Sequence, residues 1–351
     1  MIDKLEVFRS QFPNAYFFDP DNLDLLPDYL KSKKLISKRE DVLELEKPGE
    51  GNMNFVLRVV TEQKSFIIKQ SRPWVEKYPQ IEAPVERLKV EHTYYSILSG
   101  DPFFSSFSPK VLLYDPDNLI LVTEDLGEGS DFSYCYQKSK SLTPAYLKSL
   151  LAYLNHLHHI DWGKRQNRFP SNSELKRLNH QHIFILPFVQ DNGFDLDTIQ
   201  AGLQELSTPF KNDEPLKMHI AKLGDHYLSS GSILIHGDYY PGSWLDINKQ
   251  VKVIDPEFAY FGYPEFDLAV MVAHLLMTNI KADEVKNLLQ TYDRKNEFKT
   301  DLFYGFCGCE ILRRIIGLAQ LPLELSLTEK KEFMQLAKSF IDKTHTGTLI
   351  N

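Results

Sequence analysis

The sequence predicts an α+β chain of two lobes, a small one with an antiparallel sheet and one main helix, and a larger, mainly helical one. Three observations predict it. Short runs of strand-forming residues separated by turn residues occupy much of the first third; a helical apolar spacing interrupts them at Pro84 to Leu98; beyond residue 130 apolar residues recur mainly at helical intervals. At 351 residues the chain is long enough for two domains. The expected division is an N-terminal lobe at 1–123, a hinge at 124–130 and a C-terminal lobe at 131–351.

Val42 to Leu45, Phe55 to Val60 and Ser65 to Lys69 have strand length, and a loop with two glycines and two asparagines joins the first to the second. Val85, Leu88, Tyr95 and Leu98 supply much of one apolar helix face. Val111 to Tyr114 and Leu119 to Thr123 then flank Asp115-Pro116-Asp117-Asn118, a hairpin turn in composition. In the second lobe, Ser141-Leu142-Thr143-Pro144 starts a helix that continues through Leu147, Leu150, Leu151, Leu154 and Leu157. Pro215 to Leu228 reads as another, its proline tolerated in the first turn and Gly231 just past its end. Residues 167–173 and 191–214 have weaker periodicity. Leu268 to Leu276, Ala282 to Tyr292 and Phe303 to Leu318 read as further helices.

Composition narrows the function classes. A net charge of −8 argues against a general nucleic-acid surface, which needs a positive footprint. The basic run Lys31 to Arg39 is interleaved with apolar residues and reads as a solvated edge. No apolar run approaches a membrane span, and the opening MIDKLEVFRS lacks secretion-signal character, so a cytoplasmic location is expected. Three cysteines make no disulfide framework, and Cys307 and Cys309 read as buried thiols, not zinc ligands.

Chemistry concentrates between Ile233 and Asp267. Asp238 follows the apolar run Ile233 to Ile235, and Asp255 follows Val251 to Ile254, so both carboxylates are expected at the ends of neighbouring strands. One then suits a base beside a hydroxyl and the other a ligand for Mg²⁺, although strand-end aspartates also serve as turn formers. Asp238 is the candidate that orients a nucleophile and takes its proton; Asp255, with Ser243 and Glu257, is the candidate oxygen set for one or two Mg²⁺ ions. His236 reads as loop support, and Asp267 as the cap of an apolar helix that also ties down the loop. Tyr239, Tyr240 and Trp244 either line a substrate pocket or pack beneath the loop.

Three upstream features suit a nucleotide. Gly49, Gly51, Asn52 and Asn54 let backbone donors approach an anion, yet the loop is neither a Walker loop nor a dinucleotide fingerprint, since no GK[ST] follows and a strand comes next. Lys69 ends a strand where an ammonium meets phosphates, with Glu91 as its helix partner and Glu86 as the alternative. Glu124 to Leu126 offers backbone groups to an adenine edge.

With these residues in place, the chain resembles the protein-kinase-like small-molecule phosphotransferases that include aminoglycoside and choline kinases, and most of all the methylthioribose kinases. His236-Gly237-Asp238 matches their HGD motif and Asp255-Pro256-Glu257-Phe258 their metal motif. The Gly-Ser pair Gly242-Ser243 and the paired Arg313-Arg314 are also similar to methylthioribose kinases, whose late arginines belong to the substrate region. Tyr239-Tyr240-Pro241 departs from the His-Thr composition expected after HGD. The resemblance implies a bilobal protein-kinase-like fold, ATP and Mg²⁺, Asp238 as base, and Arg313 and Arg314 in the substrate region; Asp238, Tyr240 and Trp244 are the candidates beside it from their position in and after the HGD turn. The implied partner is a small hydroxylated molecule, methylthioribose first, with aminoglycosides, choline, homoserine or another sugar as alternatives. An inactive nucleotide-binding regulatory domain is the reading from a different class, and homodimerisation stays open.

Overall fold

Buried and half-buried residues alternate along Phe55–Thr61, the period-two signature of a strand with one face in a core. In the computed structural model, which describes residues 4–19, 23–49, 52–294, 297–345 and 349–350, that strand sits inside a five-stranded sheet. The chain divides into two compact units, Met1–Glu128 and Gly129–Asn351. The architecture is bilobal α+β, a small antiparallel-sheet lobe and a larger, mainly helical lobe, as in protein-kinase-like folds.

The first unit runs α1 (Lys4–Gln11), α2 (Leu26–Ser32), β1 (Val42–Glu46), β2 (Phe55–Thr61), β3 (Ser65–Gln70), β4 (Trp74–Val75), β5 (Tyr78–Glu82), α3 (Arg87–Leu98), α4 (Pro102–Phe107), β6 (Val111–Asp115) and β7 (Ile120–Glu124). The sheet order is β1-β2-β3-β7-β6, every pairing antiparallel. Phe55, Leu57 and Val59 of β2, Phe66 and Ile68 of β3, and Ile120 and Val122 of β7 form a core with Phe18, Leu26, Tyr29, Leu30, Leu35 and Ile36. The expected single helix is therefore joined by α1, α2 and α4; α1 and α2 are short, and their apolar residues are too few to show a period. Lys33, inside the basic run, reaches Asp115 at 2.7 Å, and the buried Asp115 also accepts from the Tyr29 hydroxyl.

The second unit carries β8 (Ser130–Asp131), α5 (Pro144–His158), α6 (Ser173–His180), α7 (Leu203–Lys211), α8 (Glu214–Leu228), β9 (Ile233–Ile235), β10 (Trp244–Ile247), β11 (Gln250–Val253), β12 (Tyr260–Gly262), α9 (Pro264–Leu276), α10 (Ala282–Leu289), α11 (Thr300–Ile316) and α12 (Leu327–Ile341). Thr143 caps α5 through the Tyr146 N–H, as its Thr-Pro start suggests, and Asp213 caps α8. The two aspartate-bearing strands are not paired with each other: β9 pairs with β12, and β11 with β10. Helix α9 is buried on nearly every side, and α11 is buried from Leu302 to Ile316, with Cys307 and Cys309 among its buried residues. Among the described residues no helix is long and apolar enough to cross a membrane.

Candidate active site

In the first unit, strand alternation turns Lys69 to the face opposite Phe66 and Ile68, and α3 packs beside β6 and β7. The Lys69 ammonium meets Glu91 of α3 at 2.7 Å, both side chains being largely buried. Glu86 lies before the first residue of α3 and is exposed, so the helix partner is Glu91. Gly49 and Asn52 are exposed, and Gly51 lies outside the described residues. Asn54 is buried and its amide oxygen accepts from Arg87 Nε at 2.8 Å, while Arg87 also donates to the Met53 carbonyl. The first turn of α3 thus anchors the end of the glycine loop, a contact sequence reasoning did not anticipate.

Further along, Glu124 ends β7 and its N–H donates to the Lys110 carbonyl; Leu126 is half-buried. Between them Asp125 takes a bidentate pair from Arg58 of β2 at 2.7 and 2.9 Å, and accepts the Gly127 N–H. The Arg58 pair and its hydrogen bonds hold the Asp125 carboxyl below its ordinary range against the opposing effect of burial. Arg58 was invisible as a site residue because it lies 67 positions away on a strand.

In the second unit, the loop after β9 turns at Gly237, whose φ of +84 and close approach to the Phe258 carbonyl leave no room for a Cβ. The N–H groups of His236 and Gly237 donate to the two carboxylate oxygens of Asp267 at 2.7 and 2.9 Å. Asp267 lies within α9, not at its start: Pro264 begins the helix and Tyr263 precedes it, so of its two expected roles the cap is absent and the tie to the loop is present. His158 approaches Asp267 at 3.3 Å and takes Tyr292 on its other nitrogen. Burial lowers the His236 pKa, and its Nε2 donates to the Ile254 carbonyl at 3.0 Å, which fastens the Asp238 loop to the end of β11.

Asp238 keeps part of its carboxyl exposed and stands 3.5 Å from Arg314 Nη2. Burial raises its pKa, with Arg314 and Arg313 opposing that shift. Its carbonyl accepts from the Ser243 hydroxyl at 2.9 Å, so Ser243 braces the loop. Asp255 adopts a left-handed backbone at φ +61, uncommon for aspartate, and Glu257 is buried in the turn that follows. Asn172, another left-handed residue, donates to the carbonyls of Glu257 and Ala259 and holds that turn. Tyr240 feels the charges of both Asp238 and Asp255 and packs its ring 4.7 Å from the Arg314 guanidinium. Tyr239 and Trp244 are fully buried, Tyr239 bonded to the Leu150 carbonyl and Trp244 set against Tyr239 and Phe132, which puts both beneath the loop.

Arg313 and Arg314 share Glu310, one turn earlier on α11, with contacts of 3.2 and 2.6 Å. The two guanidinium charges hold the Glu310 carboxyl well below its ordinary range despite burial. Among the described residues no three or more His, Cys, Asp or Glu side chains group as a metal cage. Asp255 and Glu257 are nonetheless hard oxygen donors, the set that suits Mg²⁺ when phosphates and water supply its other ligands.

The profile described as the phosphotransferase enzyme family matches residues 44–303. The chain is 27% identical over 335 residues to a methylthioribose kinase of Geobacillus sp. (strain WCH70), covering 82% of this chain and 81% of the relative. In fold it is similar to a choline kinase from Streptococcus pneumoniae, with TM-score 0.51, 15% identity and coverage of 91% and 99% of the two chains. It is also similar to an AMP-bound spectinomycin phosphotransferase, with TM-score 0.52, 17% identity and coverage of 92% and 98%.

Proposed function

Because this chain belongs to the phosphotransferase enzyme family, whose reaction is ATP-dependent phosphoryl transfer to a small-molecule hydroxyl, we propose that its acceptor is methylthioribose, phosphorylated at the O1 hydroxyl. The observation that carries the choice of acceptor is the guanidinium of Arg314, set 3.5 Å from Asp238 with Arg313 beside it on α11. A site with buried arginines at the base disfavours cationic acceptors such as choline and aminoglycosides, and suits a neutral sugar that leaves carrying a dianionic phosphate.

In this reading Asp238 accepts a hydrogen bond from the acceptor hydroxyl, orients its oxygen toward the γ-phosphorus, and takes its proton as the new P–O bond forms and ADP departs. Burial raises the Asp238 pKa, which makes it a better proton acceptor, and Arg314 keeps the carboxylate form accessible. Lys69, oriented by Glu91, holds the nucleotide phosphates; the loop carrying Gly49, Gly51, Asn52 and Asn54 and the backbone at Glu124 and Leu126 complete nucleotide contact. Asp255 and Glu257 would hold Mg²⁺, and the Ser243 hydroxyl braces the Asp238 loop through its carbonyl. Mg²⁺, when bound, neutralises charge on the phosphates. Tyr240 and Arg314 form one wall of the acceptor site, with Trp244 packed below it.

A panel of methylthioribose, choline, homoserine and aminoglycosides, each with Mg-ATP, tests this by acceptor-dependent ADP release and phosphorus NMR of the product. The proposal expects methylthioribose 1-phosphate at the highest kcat/KM. Preferential phosphorylation of choline or an aminoglycoside would overturn it.

A further inference from the structure

The carboxylate between the two arginines is held from a second direction. Glu310 is fully buried on α11, and the helical spacing of three and four residues places Arg313 and Arg314 on its face. Two arginines already balance its charge. Yet His274, from α9, brings Nε2 to within 3.0 Å of Glu310 Oε1, and its Nδ1 lies 2.6 Å from the hydroxyl of the buried Tyr136. Only one assignment of protons satisfies all of these contacts with a neutral ring: Tyr136 donates to Nδ1, and Nε2–H donates to Glu310. Burial and the neighbouring arginines push the His274 pKa down to about 4, which keeps the ring in that neutral form.

The relay ends at Arg314. Its Nε is spent on Glu310, its Nη1 reaches the Ala319 carbonyl at 3.4 Å, and its face rests on Tyr240. Among the described residues Nη2 has no hydrogen-bond partner, and it points to the Asp238 carboxylate at 3.5 Å. Tyr240 in turn packs 5.2 Å from the His274 ring, so the relay touches the acceptor wall as well as the arginine. A guanidinium with one nitrogen locked and one donor unspent is pre-aimed at an incoming oxygen.

We propose that Tyr136, His274 and Glu310 are positioning residues, a relay from α9 and the Phe132–Tyr136 turn that fixes Arg314 for phosphoryl transfer without touching the substrates. This rests on the assignment of Asp238 and Arg314 to the acceptor site. Tyr136→Phe removes one hydroxyl and keeps the ring. With whichever acceptor supports ADP release, it lowers kcat about tenfold and leaves KM for ATP unchanged. In an Arg314→Lys background, where the aimed fork is gone, the same change costs less than about twofold, because the two residues act through one route. Glu310→Gln lowers kcat about a hundredfold; should that variant not fold, the Tyr136 and Arg314 cycle decides alone.

Wild-type kcat in folded Tyr136→Phe, or an equal loss in both backgrounds, overturns the relay. If Arg314→Lys is itself harmless, the acceptor-site assignment falls and the relay falls with it. If Arg314→Lys is damaging while Tyr136→Phe is not, only the relay falls.

Discussion

Replacing Asp267 with asparagine conserves the side chain's volume and removes its charge. In the wild-type protein the two carboxylate oxygens accept the His236 and Gly237 N–H groups at 2.7 and 2.9 Å inside a fully buried site, with His158 as a third neighbour. An amide has one acceptor oxygen, so one backbone N–H faces an NH₂ group and loses its partner. Hydrogen bonds to a charged group contribute about 1.5–3 kcal/mol, and an unsatisfied buried donor costs a similar amount, so the change destabilises the second unit by about 3–5 kcal/mol. For a unit of this size that is a drop of roughly 10 °C in Tm. Because the clamped residues are those immediately before Asp238, displacement of the loop also lowers kcat on the order of a hundredfold. Scanning calorimetry reads the first effect and initial-rate ADP release the second. A Tm within about 2 °C of wild type together with kcat within about twofold would refute the clamp.

Two more outcomes follow from buried charges. Lys69→Met breaks the 2.7 Å pair with Glu91 and is expected to destabilise the first unit by about 3 kcal/mol and raise KM for ATP at least tenfold, read by denaturant unfolding and ATP titration of the rate. His274, with a folded pKa near 4 against an ordinary 6.5, stays neutral in the folded protein while the unfolded chain takes up a proton. Stability therefore falls as pH drops from 6.5 toward 4, by about 3 kcal/mol from this ring at the bottom of the window, and His274→Gln flattens the slope measured by calorimetry across that range.

The parts of the site legible in the sequence are those in which one residue's local setting decides its place. Lys69 follows the short apolar run Phe66 to Ile68, and the alternation of β3 alone turns it away from Phe66 and Ile68. The choice of Glu91 over Glu86 needed the start of α3, which proline at position 84 suggests three residues too early. Asp267 was misplaced for a related reason: its apolar run begins there, but Pro264 can occupy the first helical turn and carries α9 back by one turn. That shift removes the cap and leaves the expected tie to the loop as the role of Asp267.

The tertiary links had no sequence signal at all. Tyr136 and His274 lie 138 positions apart, and His274 and Glu310 lie 36 apart on different helices, so neither period nor motif connects them. Strand pairing was equally hidden. The ends of β9 and β11 meet through His236 and the Ile254 carbonyl while each strand pairs elsewhere, an arrangement that residue order alone does not distinguish from direct pairing.

The role of Asp238 is tested most directly by turnover of Asp238→Asn beside wild type, with Mg-ATP and methylthioribose, ADP release followed in real time and the sugar phosphate identified by NMR. The change keeps the shape of the side chain and removes the carboxylate 3.5 Å from Arg314 that is proposed to take the proton. The expected result is acceptor-dependent ADP and sugar phosphate formed in equal amounts by wild type, and a rate about 10²–10⁴-fold lower in the variant, with nucleotide binding retained. Wild-type turnover by Asp238→Asn would contradict the account.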